Sequence, residues 1–304
     1  MQNRYQGKFT PSIMGNYCCH KDYQATADWL LTHTRHRPKV AIICGSGLGV
    51  LADALQHSDS FKYSDIPNFP QSTVQGHAGQ LVFGELRGTA CVCMKGRFHM
   101  YEGHQPAKVT FPIRVFKLLG VKILIVTNAA GSLADDYKTG DVMIIKDHIN
   151  LLGLAGQNPL IGPNIEQFGP RFPPMTSAYD KDLCKLAMDI CKRLGYTCVH
   201  KGIYCMVSGP NFETVAEARF LHSLGADAVG MSTAAEVVVA KHCGLRVFGL
   251  SLITNQVKKD YSEKGSVNHD DVLGVSKMRA EMLKALVSEM IVRSINIWTE
   301  TTFF

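Results

Sequence analysis

The chain has 304 residues, 46% of them hydrophobic and 19% charged, with 27 Gly and 12 Pro. That make-up belongs to a globular protein and excludes a disordered, collagen-like or disulfide-scaffold chain. The formal net charge of +6 is dispersed; its densest stretches, Lys258-Lys259 and residues 33–39, are too short for a nucleic-acid stripe, which leaves a mild attraction for anions.

From Asp22, apolar residues recur at Tyr23, Ala27, Leu30 and Leu31, one face of a helix that ends near Pro38. Residues 39–44 (KVAIIC) predict a short buried strand running into Gly45-Ser46-Gly47, then a helix carrying Leu48, Leu51, Ala52 and Leu55. Strands are expected over 81–86 and 90–94, and a helix over about 107–119. Residues 121–126 (VKILIV) are another buried strand, ending in Thr127-Asn128-Ala129-Ala130-Gly131, and strand character resumes over 142–146. Helices are expected over about 181–194, 214–224 and 233–242, with strands over 203–207, 226–229 and 246–253. A long amphipathic helix over about 270–297 closes the chain. Continuous apolar strands alternating with helices mean a sheet covered on both faces, a three-layer α/β/α fold. Ligands in such folds gather at the carboxyl ends of the strands, where the Gly-rich, polar and His-bearing segments fall.

The ten cysteines include the adjacent Cys18 and Cys19 but no CxxC pair. Free thiols of that kind fit a reducing cytosol. The start MQNRYQGKFTPS lacks an apolar signal core, and no stretch approaches roughly 18 uninterrupted apolar residues. A cytoplasmic protein outside the membrane is expected. No internal repeat, linker or block of like charge marks a boundary, so residues 1–304 read as one domain with an irregular arm over 1–20 and a tail over 299–304.

Several strand-end segments carry possible chemistry. Gly45-Ser46-Gly47-Leu48-Gly49 exposes backbone N–H groups at a helix start, which suits phosphate, while the same turn also serves as a plain tight connection. It lacks the GxGxxG spacing of a dinucleotide site. In the segment 96–104 (GRFHMYEGH), Arg97 and His99 alternate on one side and offer a guanidinium and an imidazole to an anion. Glu102 is placed to orient His99; a metal site from His99, Glu102 and His104 is the rival, without a second cluster of ligands behind it. In Ser208-Gly209-Pro210-Asn211-Phe212-Glu213, Glu213 is either a helix-start carboxylate or an acceptor for a ligand's N–H groups, with Phe212 as a stacking face. Singly, Ser232, Asn255 and His269 read as turn, cap or solvated residues. Together an Arg, a His and two Ser near strand ends make an anion site, and a Glu and an Asn with aromatic neighbours suit a flat heterocycle with N–H and carbonyl groups. No obvious nucleophile motif is present, which leaves phosphate itself as a candidate reactant.

The motifs CGSGLG (44–49), GRFHMYEGH (96–104), TNAAG (127–131), GPNFET (209–214), DAVGMST (227–233), LITN (252–255) and NHDDV (268–272) occur in order. In this the chain resembles the trimeric, low-molecular-mass purine nucleoside phosphorylases from about residue 22 to 297. The resemblance implies a phosphorylase/hydrolase-like fold with a central mixed β-sheet, and phosphorolysis of 6-oxopurine (deoxy)ribonucleosides such as inosine and guanosine to base and α-(deoxy)ribose 1-phosphate. It implies no cofactor beyond phosphate as co-substrate, no nucleic-acid or membrane partner, and a homotrimer. Residue by residue, it assigns Ser46, Arg97, His99, Ala129 through its backbone, Ser232 and the loop residue His77 to phosphate. Tyr101, Met231 and His269 fall to ribose, with Phe172 reaching a neighbouring subunit's ribose site. Glu213 and Asn255 would grip the base, flanked by Phe212, Val229, Val257, Ala130 and Gly131. The catalytic set so implied is Asn255, Glu213 and His99. Ala235, Gln75 and Ser132 depart from the family pattern, where Pro, Pro and Gly are usual. Two other readings stay open: a methylthioadenosine phosphorylase, against which Asn255 and His269 argue, and a non-catalytic nucleoside-binding protein.

Overall fold

The computed structural model describes residues 18–74, 76–262 and 268–301, without the side chains of His269 and of residues 295–301. Gln75 therefore lies outside the described residues, as does the side chain of His269. The chain enters on α1 (His20–His33), whose Tyr23, Thr26, Ala27 and Leu30 are buried on the face that the apolar spacing predicted. Then follow β1 (Val40–Cys44), the short α2 (Val50–Asp53), β2 (Gln56–Lys62), β3 (Gln80–Leu86) and β4 (Thr89–Lys95). The stretch expected as one helix over 107–119 is broken into α3 (Pro106–Val109) and α4 (Phe111–Leu118), with Thr110 between them. Pro112 has no N–H to continue the first helix and starts the second instead.

The remaining elements are β5 (Ile123–Ser132), β6 (Val142–Asn150), α5 (Leu151–Leu154), α6 (Lys181–Arg193), β7 (Val199–Met206), α7 (Val215–Ser223), β8 (Ala228–Gly230), α8 (Ala234–His242), β9 (Arg246–Gln256) and α9 (His269–Thr301). The last helix reaches Thr301, so it takes in the first part of the segment read as a tail. The strands form one mixed nine-stranded sheet in the order β2-β3-β4-β1-β5-β8-β7-β6-β9, and β5 pairs with β9 as well. Five of these strands therefore close on themselves: β5 to β8, β8 to β7, β7 to β6, β6 to β9 and β9 back to β5. The other four form an open wing on β5.

Interior strands explain the continuous apolar runs. Every residue of β1 is buried between β4 and β5, to which it pairs in parallel. The wing's outer strand β2 is mostly exposed and polar, which suits an edge. Helices α1, α4 and α8 pack together, and α6 and α9 against each other, giving the layers that cover the sheet.

A candidate active site at the strand ends

The carboxyl ends of β1, β4, β7, β8 and β9, with the far part of β5, surround a cavity of about 260 Å³. It is lined by Ser46, Arg97, His99, Tyr101, Ala129, Ala130, Gly131, Phe212, Glu213, Val229, Met231, Ser232 and Asn255, together with Asn128, Pro210, Gly230, Thr254 and Val272. The oxyanion cluster around Arg97 and the Glu213–Asn255 pair thus face one space.

One end is built from the turn after β1 and the segment after β4. Gly45 sits so close to β5 that a Cβ there would lie 2.8 Å from the Asn128 Cα, and its N–H donates to the Thr127 hydroxyl (3.1 Å). Glycine is required by that approach. Gly47, at φ +72°, packs under α9, whose Ser276 hydroxyl donates to the Ser46 carbonyl (3.0 Å). Arg97 is 1% exposed. Its Nη2 donates to Glu236 Oε2 at 2.7 Å, its Nε to Oε1 at 3.3 Å, and its Nη1 to the Thr127 carbonyl. A buried guanidinium needs such a partner, and the pairing leaves two N–H groups for a ligand.

His99 Nδ1 lies 3.1 Å from Glu102 Oε1. Burial, the largest influence, lowers the imidazole's pKa, with Glu102 pulling the other way. Burial opposes ionisation of Glu102, yet hydrogen bonds from His99 and from the Thr73 N–H (2.6 Å) and hydroxyl (2.9 Å) hold its pKa down to about 2. Glu102 is thus engaged by His99 and Thr73, and His104 turns to the Gln71 carbonyl (2.8 Å). Among the described residues no group of three His, Cys, Asp or Glu is disposed to hold a metal, and the rival cluster of 99, 102 and 104 does not come together. His77 packs on the His99 ring at 5.3 Å between centroids. Its Nδ1 lies 3.2 Å from the Arg97 N–H and 3.0 Å from the Arg97 carbonyl, and its Nε2 lies 3.3 Å from the Ser46 hydroxyl. Burial brings its pKa down to about 4, which keeps it neutral near pH 7. His77 stands behind the cavity wall rather than in the lining.

The opposite end suits a flat ring. The ladder between β5 and β9 shifts register after Ala130, so that Gly131 faces Asn255 and Thr254 is the extra residue. Such a bulge re-aims side chains. Here the Thr254 hydroxyl shares its proton between the Ala130 carbonyl (3.3 Å) and Asn255 Oδ1 (3.2 Å), while Asn255 lines the cavity. Burial raises the Glu213 pKa, with the Glu217 charge adding to it. Val229 and Val257 belong to one small apolar cluster beneath. Phe212 is partly exposed at the mouth, Tyr101 stacks on His99 with ring centroids 4.5 Å apart, and Met231 completes the middle.

Three assigned residues do not line this cavity within the chain: His77 stands behind it, Val257 supports it from below, and Phe172 is 87% exposed on the surface. Sequence reading passed over Glu236, Asn128 and Thr233. Glu236 carried a signal, as the one acid in an otherwise apolar helical run, AAEVVVA; a buried charge demands a partner. Asn128 and Thr233 carried none, since either reads as an ordinary polar residue of a strand or a turn.

Residues 39–292 match the model of the phosphorylase superfamily, and the chain belongs to that superfamily. The purine nucleoside phosphorylase of Bos taurus is 59% identical over 276 residues, which span 90% of this chain and 96% of that one. Purine nucleoside phosphorylase 1 of Bacillus subtilis is 53% identical over 256 residues, 83% of this chain and 92% of its own. Among solved structures, the Schistosoma mansoni purine nucleoside phosphorylase in complex with inosine is 47% identical, with a TM-score of 0.86 over 90% of this chain and 96% of that one. Within its superfamily, then, the chain is a member of the purine nucleoside phosphorylases, enzymes of purine-nucleoside phosphorolysis.

Proposed function

We propose that the cavity binds a 6-oxopurine nucleoside, such as inosine or guanosine, over inorganic phosphate, and that the products are free base and α-(deoxy)ribose 1-phosphate. The observation that carries this is the shared lining of one space by Arg97 and His99 at one end and Glu213 and Asn255 at the other. The inosine complex of the Schistosoma mansoni enzyme and the guanosine complex of a Schistosoma purine nucleoside phosphorylase support the substrate class.

Breaking the C1′–N9 bond leaves an electron-rich purine and a cation-like ribosyl ring. Asn255 donates to N7 as negative charge gathers on the base, and ionised Glu213 accepts from N1–H and fixes the ring. Phosphate, held by Arg97, His99, Ser46, Ser232 and the Ala129 backbone with His77 behind them, lies beneath C1′. Its charge stabilises the ribosyl cation and then captures it with inversion. Preorganised donors of this kind are each worth about 3 kcal/mol of barrier. Tyr101, Met231 and His269 hold the ribose, and Phe172 completes the neighbouring pocket of a homotrimer. Residues 1–304 make up a single phosphorylase domain. A cytoplasmic location is part of this reading, and the free thiols of all ten cysteines support it.

Side-by-side assays of inosine, guanosine, adenosine and methylthioadenosine, with and without phosphate, test the proposal. Turnover of the first two should depend on phosphate and release ribose 1-phosphate. A preference for adenosine or the thioether nucleoside, or cleavage without phosphate, would overturn it.

A further inference from the structure

The residue after Ser232 has an unusual backbone. Thr233 lies at φ +77° and ψ −55°, and the Ala234 N–H donates to the Ser232 carbonyl at 2.9 Å. Those angles and that bond define a γ-turn of the strained hand, a conformation that a β-branched residue rarely adopts. Glycine would take it freely, yet a buried threonine stands there. Strain of this kind persists only where the surroundings impose it, and it collects at functional sites.

The side chain supplies a reason. The Asn128 amide Nδ2 can only donate, and it does so to Thr233 Oγ1 at 3.0 Å. The Thr233 hydroxyl proton is thereby directed elsewhere, and Ser232 Oγ lies 3.3 Å away. Ser232 is fixed on its other sides too: its N–H donates to the Tyr204 hydroxyl at 3.3 Å and its carbonyl closes the γ-turn. When Thr233 donates to that oxygen, Ser232 keeps its own proton for a ligand, and Ser232 and Asn128 both line the cavity.

We propose that Thr233 is a positioning residue for phosphate: anchored by Asn128, it presets the Ser232 hydroxyl as a donor to the bound oxyanion. This rests on the assignment of phosphate to that end of the cavity. The strain is the consequence of placing a hydroxyl, rather than a bare backbone, at the turn.

The test compares Thr233→Val, which keeps the shape without the hydroxyl, Thr233→Gly, which relieves the turn without the hydroxyl, and Thr233→Ser, which restores it. Phosphate binding to the intact protein is measured by titration calorimetry, and KM for phosphate and for inosine are measured separately. Valine and glycine should each weaken phosphate by about tenfold, the scale of one misdirected hydrogen bond to an anion. KM for inosine should stay within about twofold, and serine should return phosphate binding to within about threefold of the parent. Glycine decides the case if valine fails to fold. Parent-like phosphate binding by the glycine variant, equal loss for serine and valine, or parallel losses for both substrates would overturn the relay. Failure of the functional reading looks different: the parent protein then binds phosphate without cleaving purine nucleosides, and the binding comparison still judges Thr233. A parent that binds no phosphate overturns both.

Discussion

Burial governs the protonation of the groups that would meet substrate, and this makes the pH profile informative. Glu213 has its pKa raised because the cavity wall desolvates it, and it must be ionised to accept from N1–H. As pH falls through that raised value the acceptor is lost, so kcat/KM for inosine should fall on the acid side at a pH above 4.5, the ordinary glutamate value. A pH profile at saturating phosphate checks this, and Glu213→Gln should abolish that limb along with most of the activity. At the other end, Arg97 is oriented by Glu236 rather than by solvent. Glu236→Gln removes a charge from a buried pair, a change that costs about 3–5 kcal/mol. We expect a lower Tm and a KM for phosphate raised about tenfold, read by calorimetry and steady-state assay. Arg97 and His99 were legible in the sequence because their residue types announce an anion. Glu236 was legible only as an acid that needs a partner in an apolar run; which partner was not, because Arg97 lies 139 positions away and spacing along the chain shows only near neighbours.

Elements decide where those side chains point, and the sequence revealed them unevenly. Runs such as KVAIIC and VKILIV are legible because a strand buried on both faces must be apolar throughout. QHSDSFK, the edge strand β2, was missed because one neighbour and an exposed surface leave no apolar pattern. The strand expected over 121–126 runs on through TNAAG to Ser132 as β5; those small residues pair with β9, a partner that local pattern does not disclose. The start of α9 illustrates how an element shapes the site. A Cβ on Gly47 would come within 2.4 Å of the Ser276 Cβ, and the residue's φ of +72° disfavours any side chain. Gly47→Ala should therefore push α9 off the turn over residues 45–47, costing roughly 1–3 kcal/mol, and loosen the end of the cavity lined by Val272. Thermal melting together with KM for both substrates checks it. Unchanged values for all three would mean that the helix start does not brace the site.

At the scale of the whole molecule, closure of five strands through the β5–β9 ladder was beyond local reading, since those pairs join residues more than a hundred positions apart. It matters because it brings Ala130, Gly131 and Asn255 to the same wall as Val229. What the single chain does not use is Phe172, which is 87% exposed, with Leu154 and Ile161 also exposed on the stretch that leads to it. If Phe172 enters a neighbour's ribose site, light scattering should give about three times the chain mass of 33.5 kDa. Phe172→Ala should then raise KM for inosine about tenfold, as expected for losing an aromatic wall, although no atom of the chain's own cavity changes. Mixed trimers separate this from a stability effect. A Phe172→Ala subunit keeps Asn255, and an Asn255→Ala subunit keeps Phe172, so co-refolding the two weak variants should rebuild complete pockets at some interfaces and recover activity above either alone. Recovery requires that the phenylalanine be supplied in trans. A monomer by light scattering, or a mixture no better than its components, would leave Phe172 an ordinary surface residue.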